Sequence, residues 1–158
     1  MNVNNLIFDF NITGEKFGSS YVEWDGNNGI LTNCTFIGNY AQNGGAILWS
    51  GTNGVVKDCI FVNNRAENGG AVKWTGSEGV IDDCLFINNT ADISGGAIFI
   101  EGASNSVNNT LILNSSSSGL GNAIFIDYRR KNLTLANVYF DNPDSAVFDE
   151  GIIGTHIS

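Results

Sequence analysis

The sequence predicts an all-β fold: a right-handed parallel β-helix of about five to six coils, each of roughly 25 residues and three short strands. Three observations predict it. A short motif recurs at a fixed step of 25 residues, the aligned copies form columns of like residues, and Asn and Gly are abundant beside a single proline, Pro143. Self-similarity at a fixed period marks a solenoid, because each unit buries its apolar face only against its neighbours. Asn and Gly tolerate the left-handed backbone of tight turns, so a chain rich in both turns often.

The first motif is Cys34-Thr-Phe-Ile-Gly-Asn39, Cys59-Ile-Phe-Val-Asn-Asn64 and Cys84-Leu-Phe-Ile-Asn-Asn89. The second is Gly44-Gly-Ala-Ile-Leu-Trp49, Gly69-Gly-Ala-Val-Lys-Trp74 and Gly95-Gly-Ala-Ile-Phe-Ile100, with Gly121-Asn-Ala-Ile-Phe-Ile126 as a fourth copy. A one-residue insertion within Ala91-Asp-Ile-Ser94 accounts for the slip in the third copy, and Val138-Tyr-Phe140 opens a degenerate coil. A leucine-rich repeat of similar period requires Leu-x-x-Leu-x-Leu, which is missing. Within each coil the apolar runs are short, alternate with period two and break at Gly or Asn, so they read as strands such as Val55-Val56, Cys59 to Val62 and Ala71 to Trp74.

Stacked coils place equivalent residues about 4.8 Å apart, so the columns assign side chains to inside or outside. Phe36, Phe61, Phe86, Ile112, Phe140 point inward; so do Cys34, Cys59, Cys84, Thr110, Val138, the column Val22, Ile47, Val72, Ile98, Ile124, and the column Trp24, Trp49, Trp74, Ile100, Ile126. Between the last two runs Glu23, Leu48, Lys73, Phe99, Phe125. A column containing Glu and Lys is outside, because an unpaired buried charge is costly.

The length, with 42% hydrophobic and 15% charged residues, suits one globular domain with a sizeable core. A net charge of −9 repels phosphate backbones and anionic lipid, which argues against nucleic-acid or membrane-surface binding. No apolar run approaches the roughly 20 residues of a transmembrane helix, and the first residues lack the basic start of a secretory signal.

The paired signatures Gly-Gly-Ala-Ile/Val and Phe-x-x-Asn, recurring in register over residues 20 to 142, resemble the repeats of bacterial polymorphic outer membrane proteins and of adhesin-like β-helix proteins of anaerobic archaea. That resemblance implies a pectate-lyase-like β-helix and an extracellular location on the cell surface; it does not imply a catalytic site, and no cofactor is expected. The segment begins within what reads as a coil (Leu6-Ile-Phe-Asp-Phe10) and stops at Thr155-His-Ile-Ser158 without a capping helix. The expectation is one β-helix domain excerpted from a longer surface protein, with neighbouring repeats of that parent as contacts.

Candidate sites each carry a functional and a structural reading. The column Cys34, Cys59, Cys84 lacks the close Cys-x-x-Cys pairing of zinc sites, and three thiols cannot all pair as disulfides; small inert core filler is the preferred reading, with no metal. Asp58, Asp82 and Asp83 are the acidic candidates if the chain is a polysaccharide lyase or glycoside hydrolase, or a Ca²⁺ site. The competing reading is a turn ladder of Asp58 and Asp83 with Asn33, Asn109 and Asn137, and the Gly-His-Gly and Arg-Ile-Lys segments of such hydrolases are absent. The outward stripe Leu48, Lys73, Phe99, Phe125, with Tyr128, is expected to expose aromatic rings that could stack on a glycan or meet a protein. Arg129 to Lys131 is read as a solvated basic loop. Six Asn-x-Ser/Thr sequons start at Asn11, Asn33, Asn88, Asn108, Asn114 and Asn132, a pattern an Asn- and Thr-rich repeat also generates by chance. The leading expectation is a non-enzymatic, adhesin-like stalk; the alternatives are a fragment of a carbohydrate-active enzyme and a purely structural spacer.

Overall fold

The computed structural model describes residues 1–9, 20–127, 132–141, 147–149 and 156–157. Every strand pair in it is parallel, and the strands stack into three long sheets and one short one. Sheet I contains Asn2–Asn4, Ile30–Thr32, Val55–Lys57, Val80–Asp82, Ser106–Asn108, Thr134–Ala136 and His156–Ile157. Sheet II contains Ile7–Asp9, Thr35–Ile37, Ile60–Val62, Leu85–Ile87, Leu111–Leu113 and Tyr139–Phe140. Sheet III contains Val22–Trp24, Ile47–Trp49, Val72–Trp74, Ile98–Ile100, Ile124–Ile126 and Val147–Asp149. Each coil visits sheets I, II and III in turn, giving the solenoid of stacked coils that the repeat predicts.

One feature of the coils departs from three strands each. Arg65–Asn68, Thr90–Ser94 and Ser116–Ser117 form a fourth sheet, IV, between sheets II and III. Only Ala66 and Ala91 of its two longer strands turn fully inward as apolar residues, so no alternating apolar run marks them. The insertion within Ala91–Ser94 lies here as a β-bulge opposite Ala66 and Asn68.

Corners in the left-handed region explain the composition. Asn5, Asn33, Asp58, Asp83, Asn109 and Asn137 have φ between 47° and 58° and turn the chain from sheet I to sheet II. Gly38, Asn63, Asn88 and Asn114 do the same after sheet II, and Gly44, Gly69, Gly95 and Gly121 before sheet III. A fourth set, Asn28, Asn53, Glu78 and Ser104, leads back to sheet I. Asn, Asp and Gly adopt this conformation at least cost, which is why they recur at the corners.

The inward columns hold throughout. Phe8, Phe36, Phe61 and Phe86 stack with ring centroids 4.8, 5.1 and 4.5 Å apart, and Trp24, Trp49 and Trp74 stack at 4.7 and 4.8 Å. A third column, Leu31, Val56, Ile81, Val107 and Leu135, fills the sheet I side and is fully buried. Burying one such side chain stabilises by about 1.5–3 kcal/mol, so the ladders supply most of the gain that offsets chain entropy. The polar ladder of Asn39, Asn64 and Asn89 runs inside as well. Asn64 Nδ2 donates to Phe36 O (3.1 Å) and Asn89 Nδ2 to Phe61 O (3.0 Å), while Asn64 N donates to Asn89 Oδ1 (3.0 Å).

Candidate functional site

The outer face of sheet III carries the predicted stripe in register: Glu23 pairs with Leu48, Leu48 with Lys73, Lys73 with Phe99 and Phe99 with Phe125. Its expected exposure does not hold for the rings. Phe99 is 8% exposed and Phe125 7%. The two rings stack on each other at 4.7 Å, and the Lys73 ammonium lies 5.1 Å from the centre of the Phe99 ring, so both faces of Phe99 are occupied. Leu48 and Lys73 are half-buried. Tyr128, the fifth stripe residue, and Arg129 to Lys131 lie outside the described residues.

Two groups missed in the sequence complete this face. Lys73 Nζ donates to Asn43 Oδ1 at 3.1 Å and pairs with Glu101 Oε1 at 3.2 Å. Glu101 belongs to the column that follows the Trp/Ile ladder, reading Asp25, Ser50, Thr75, Glu101, Asp127; Asp127 is buried. A cation, two acids, an amide and an aromatic stack therefore share one face of four adjacent coils. Such a set hydrogen-bonds hydroxyl-rich or polar ligands and packs on their apolar faces.

The acidic trio lies on the opposite side, where sheet I turns into sheet II. Asp58 and Asp83 occupy left-handed corners with φ of 53° and 48°, in the ladder with Asn33, Asn109 and Asn137. Lys57 Nζ sits 2.9 Å from Asp82 Oδ2 and 3.1 Å from Asp83 Oδ2, and Asn109 Nδ2 donates to Asp82 Oδ1 at 2.9 Å. The hydrogen bond from Lys57 holds the Asp82 carboxyl below its ordinary range, with partial burial opposing and Asn109 adding to the shift. The same contacts raise Lys57. A carboxylate held ionised is poorly suited to general-acid work, which needs a raised value.

Because the folded-state value of Asp82 is depressed, its stabilisation is present above the unfolded aspartate value near 3.9 and is lost as pH falls through the lower folded one. Lys57→Gln should therefore lower Tm at pH 7, and the difference should shrink as pH falls below the ordinary aspartate range and Asp82 takes up its proton. Thermal melts over a falling pH series check this; a difference that stays constant down the series refutes it.

The cysteines point inward as their column predicts, and all three are free and buried. Each thiol donates to the carbonyl two residues back: Cys34 to Thr32 (3.3 Å), Cys59 to Lys57 (3.1 Å), Cys84 to Asp82 (3.2 Å). Thr110 Oγ1 repeats the contact with Asn108 O at 2.7 Å. Burial pushes the Cys34 thiol up, and Cys84 is pushed well above the usual range by its hydrogen bond to Cys59 and by burial. The neutral buried thiols of Cys34 and Cys84 are unreactive, whereas the hydrogen bond from Cys84 lowers the Cys59 thiol against its burial. At the first coil Val3, Phe8, Tyr21, Val22 and Trp24 line an open recess of about 480 Å³. Of the sequons, Asn33, Asn88, Asn114 and Asn132 are exposed corner residues, Asn108 is half-buried, and Asn11 lies outside the described residues.

A family model described as a right-handed β-helix region matches residues 2–145. No curated protein and no solved structure matches the chain.

Proposed function

The chain belongs to the right-handed β-helix family, and from that premise we propose that it is a non-enzymatic module of an adhesin-like, extracellular cell-surface protein. It acts as a rigid stalk, and the outer face of sheet III, with Leu48, Lys73, Phe99, Phe125 and Glu101, meets a glycan or a protein. The observation that carries this reading is the Lys73 cluster, in which Lys73 and Glu101 place a half-buried ion pair beside aromatic rings on the outer face of sheet III. The low value of Asp82, paired with Lys57, supports the non-enzymatic part.

A glycan array probed with the wild-type chain and with Lys73→Gln and Glu101→Gln tests it. Binding that falls at least tenfold in both variants, with Tm within a few degrees of wild type, is the expected result; tenfold corresponds to about 1.4 kcal/mol, the scale of one charge-assisted hydrogen bond. Cleavage of a polysaccharide that is lost on Asp82→Asn would replace this reading with a carbohydrate-active enzyme. Inertness on the array and in cleavage assays would leave a spacer.

A further inference from the structure

The recess at the first coil has no part in the face proposed above. Asn2–Asn4, Ile7–Asp9 and Val22–Trp24 are end strands of sheets I, II and III, so the inward ladders finish there with one side uncovered. Phe8 stacks on Phe36 at 4.8 Å and Trp24 on Trp49 at 4.7 Å. Phe61 and Trp49, further along the same ladders, are sandwiched between two rings, whereas Phe8 and Trp24 stay half-buried and turn their second face to the recess. Tyr21 stands beside them, tilted by 45° with its centroid 5.5 Å from that of Phe8. Its hydroxyl donates to Ile37 O at 3.0 Å, which fixes the ring. With Val3 these rings line a volume of about 480 Å³, in the range of small-molecule sites.

The charges around this recess have one sign. Glu23 and Asp25 line it and are exposed, and no lysine, arginine or histidine side chain does, on a chain of net charge −9. We propose that the recess binds an organic ammonium of the trimethylammonium type, its methyl groups against Phe8, Tyr21 and Trp24 and its charge facing Glu23 and Asp25. Each ring presents the negative face of its quadrupole to such a cation, and several rings around one site add their attractions. A quaternary ammonium has no N–H to leave unpaired among apolar walls, whereas a lysine-like ammonium would give up three hydrogen bonds to water there. An anion would meet the two carboxylates and is excluded. The ladders hold Phe8 and Trp24 in place before a ligand arrives, so binding orders little.

Calorimetric titration of the 158-residue chain with choline chloride tests this, beside the neutral isostere in which tert-butyl replaces trimethylammonium. The expected result is saturable choline binding with a dissociation constant on the order of 1 mM, and an isostere at least fivefold weaker. Trp24→Leu should weaken choline about tenfold and Glu23→Gln several-fold, and added salt should erase the second difference. Tm is recorded for each variant. Where Trp24→Leu lowers it, Glu23→Gln changes only an exposed side chain and keeps the test decisive. Choline that does not saturate by about 50 mM overturns the proposal. An isostere that binds as tightly overturns it too and leaves the recess merely apolar, and an affinity unchanged in both variants overturns it by placing the ammonium elsewhere.

Discussion

Replacing Asn89 by leucine should lower the unfolding free energy by about 4 kcal/mol, although the two side chains are close in volume. Asn89 Oδ1 accepts from Asn64 N (3.0 Å) and Asn64 Nδ2 (3.1 Å), and its own amide donates to Phe61 O. Leucine would leave a buried N–H and a buried C=O without partners between stacked coils. Each stranded group costs about 1–3 kcal/mol, far more than the modest apolar gain returns. The opposite change is available one coil further. Ser115 follows Asn89 in this column, and its buried Oγ has no partner among the described residues. Ser115→Asn extends the ladder, offers an acceptor to the Asn89 N–H, and should raise stability by about 1 kcal/mol. Denaturant unfolding at constant m-value measures both. A loss below about 1 kcal/mol for Asn89→Leu would mean that the ladder is not a structural spine.

What the sequence disclosed follows from what a repeat can encode. The 25-residue step placed Phe36 on Phe61 and Trp49 on Trp74, because a parallel coil has only one register that stacks like on like. The column Glu23, Leu48, Lys73 identified the outer face of sheet III, since charge breaks the ambiguity of alternation. Sheet II offered no such marker. Its outward Ile60, Leu85 and Leu111 are as apolar as its inward Phe61, Phe86 and Ile112, and periodicity cannot report that one of two apolar faces meets solvent. Sheet IV was hidden for the converse reason: Arg65 to Asn68 and Thr90 to Ser94 have strand geometry from their neighbours' backbones, with little apolar pattern of their own.

The candidate site was half visible on the same grounds. Lys73 beside Phe99 is a register relation, which the repeat supplies. Asn43 reaches Lys73 from the preceding coil's corner, 30 residues away, and Glu101 lies past the column that guided the alignment. Burial of Phe99 and Phe125 depends on the stacked ring and the lysine above and below, a property of three coils together and of no one copy.

One such relation between copies yields the second large effect. Where the inward column holds Trp24, Trp49 and Trp74, the residue five positions later is Gly29, Gly54 and Gly79; where it changes to Ile100, that residue is Asn105. The structure gives the reason. A Cβ at Gly54 would lie 2.3 Å from Trp49 Nε1, and one at Gly79 2.3 Å from the Trp74 ring, so each indole occupies the space above its glycine. Without the indole, Asn105 fills that space and becomes buried, donating to Gly76 O (3.0 Å) and Gly102 O (2.8 Å) and accepting from Gly79 N (2.6 Å). Gly54→Ala should therefore cost about 3 kcal/mol, because a ring stacked at 4.7 and 4.8 Å on both sides has no room to give. Ile100→Trp should fail similarly against Asn105, and Asn105→Gly alone should cost about 2 kcal/mol by stranding the Gly79 N–H and opening a void. Combined, they rebuild the pair found in the three coils before. The double variant should be more stable than the sum of the singles by about 2–3 kcal/mol, a coupling that thermal or denaturant unfolding reads directly. Additive losses would show that the Trp–Gly and Ile–Asn pairs are independent choices. A positive coupling would show that the core of each coil is specified as a unit, which is how a coil can diverge in sequence and still stack on its neighbours.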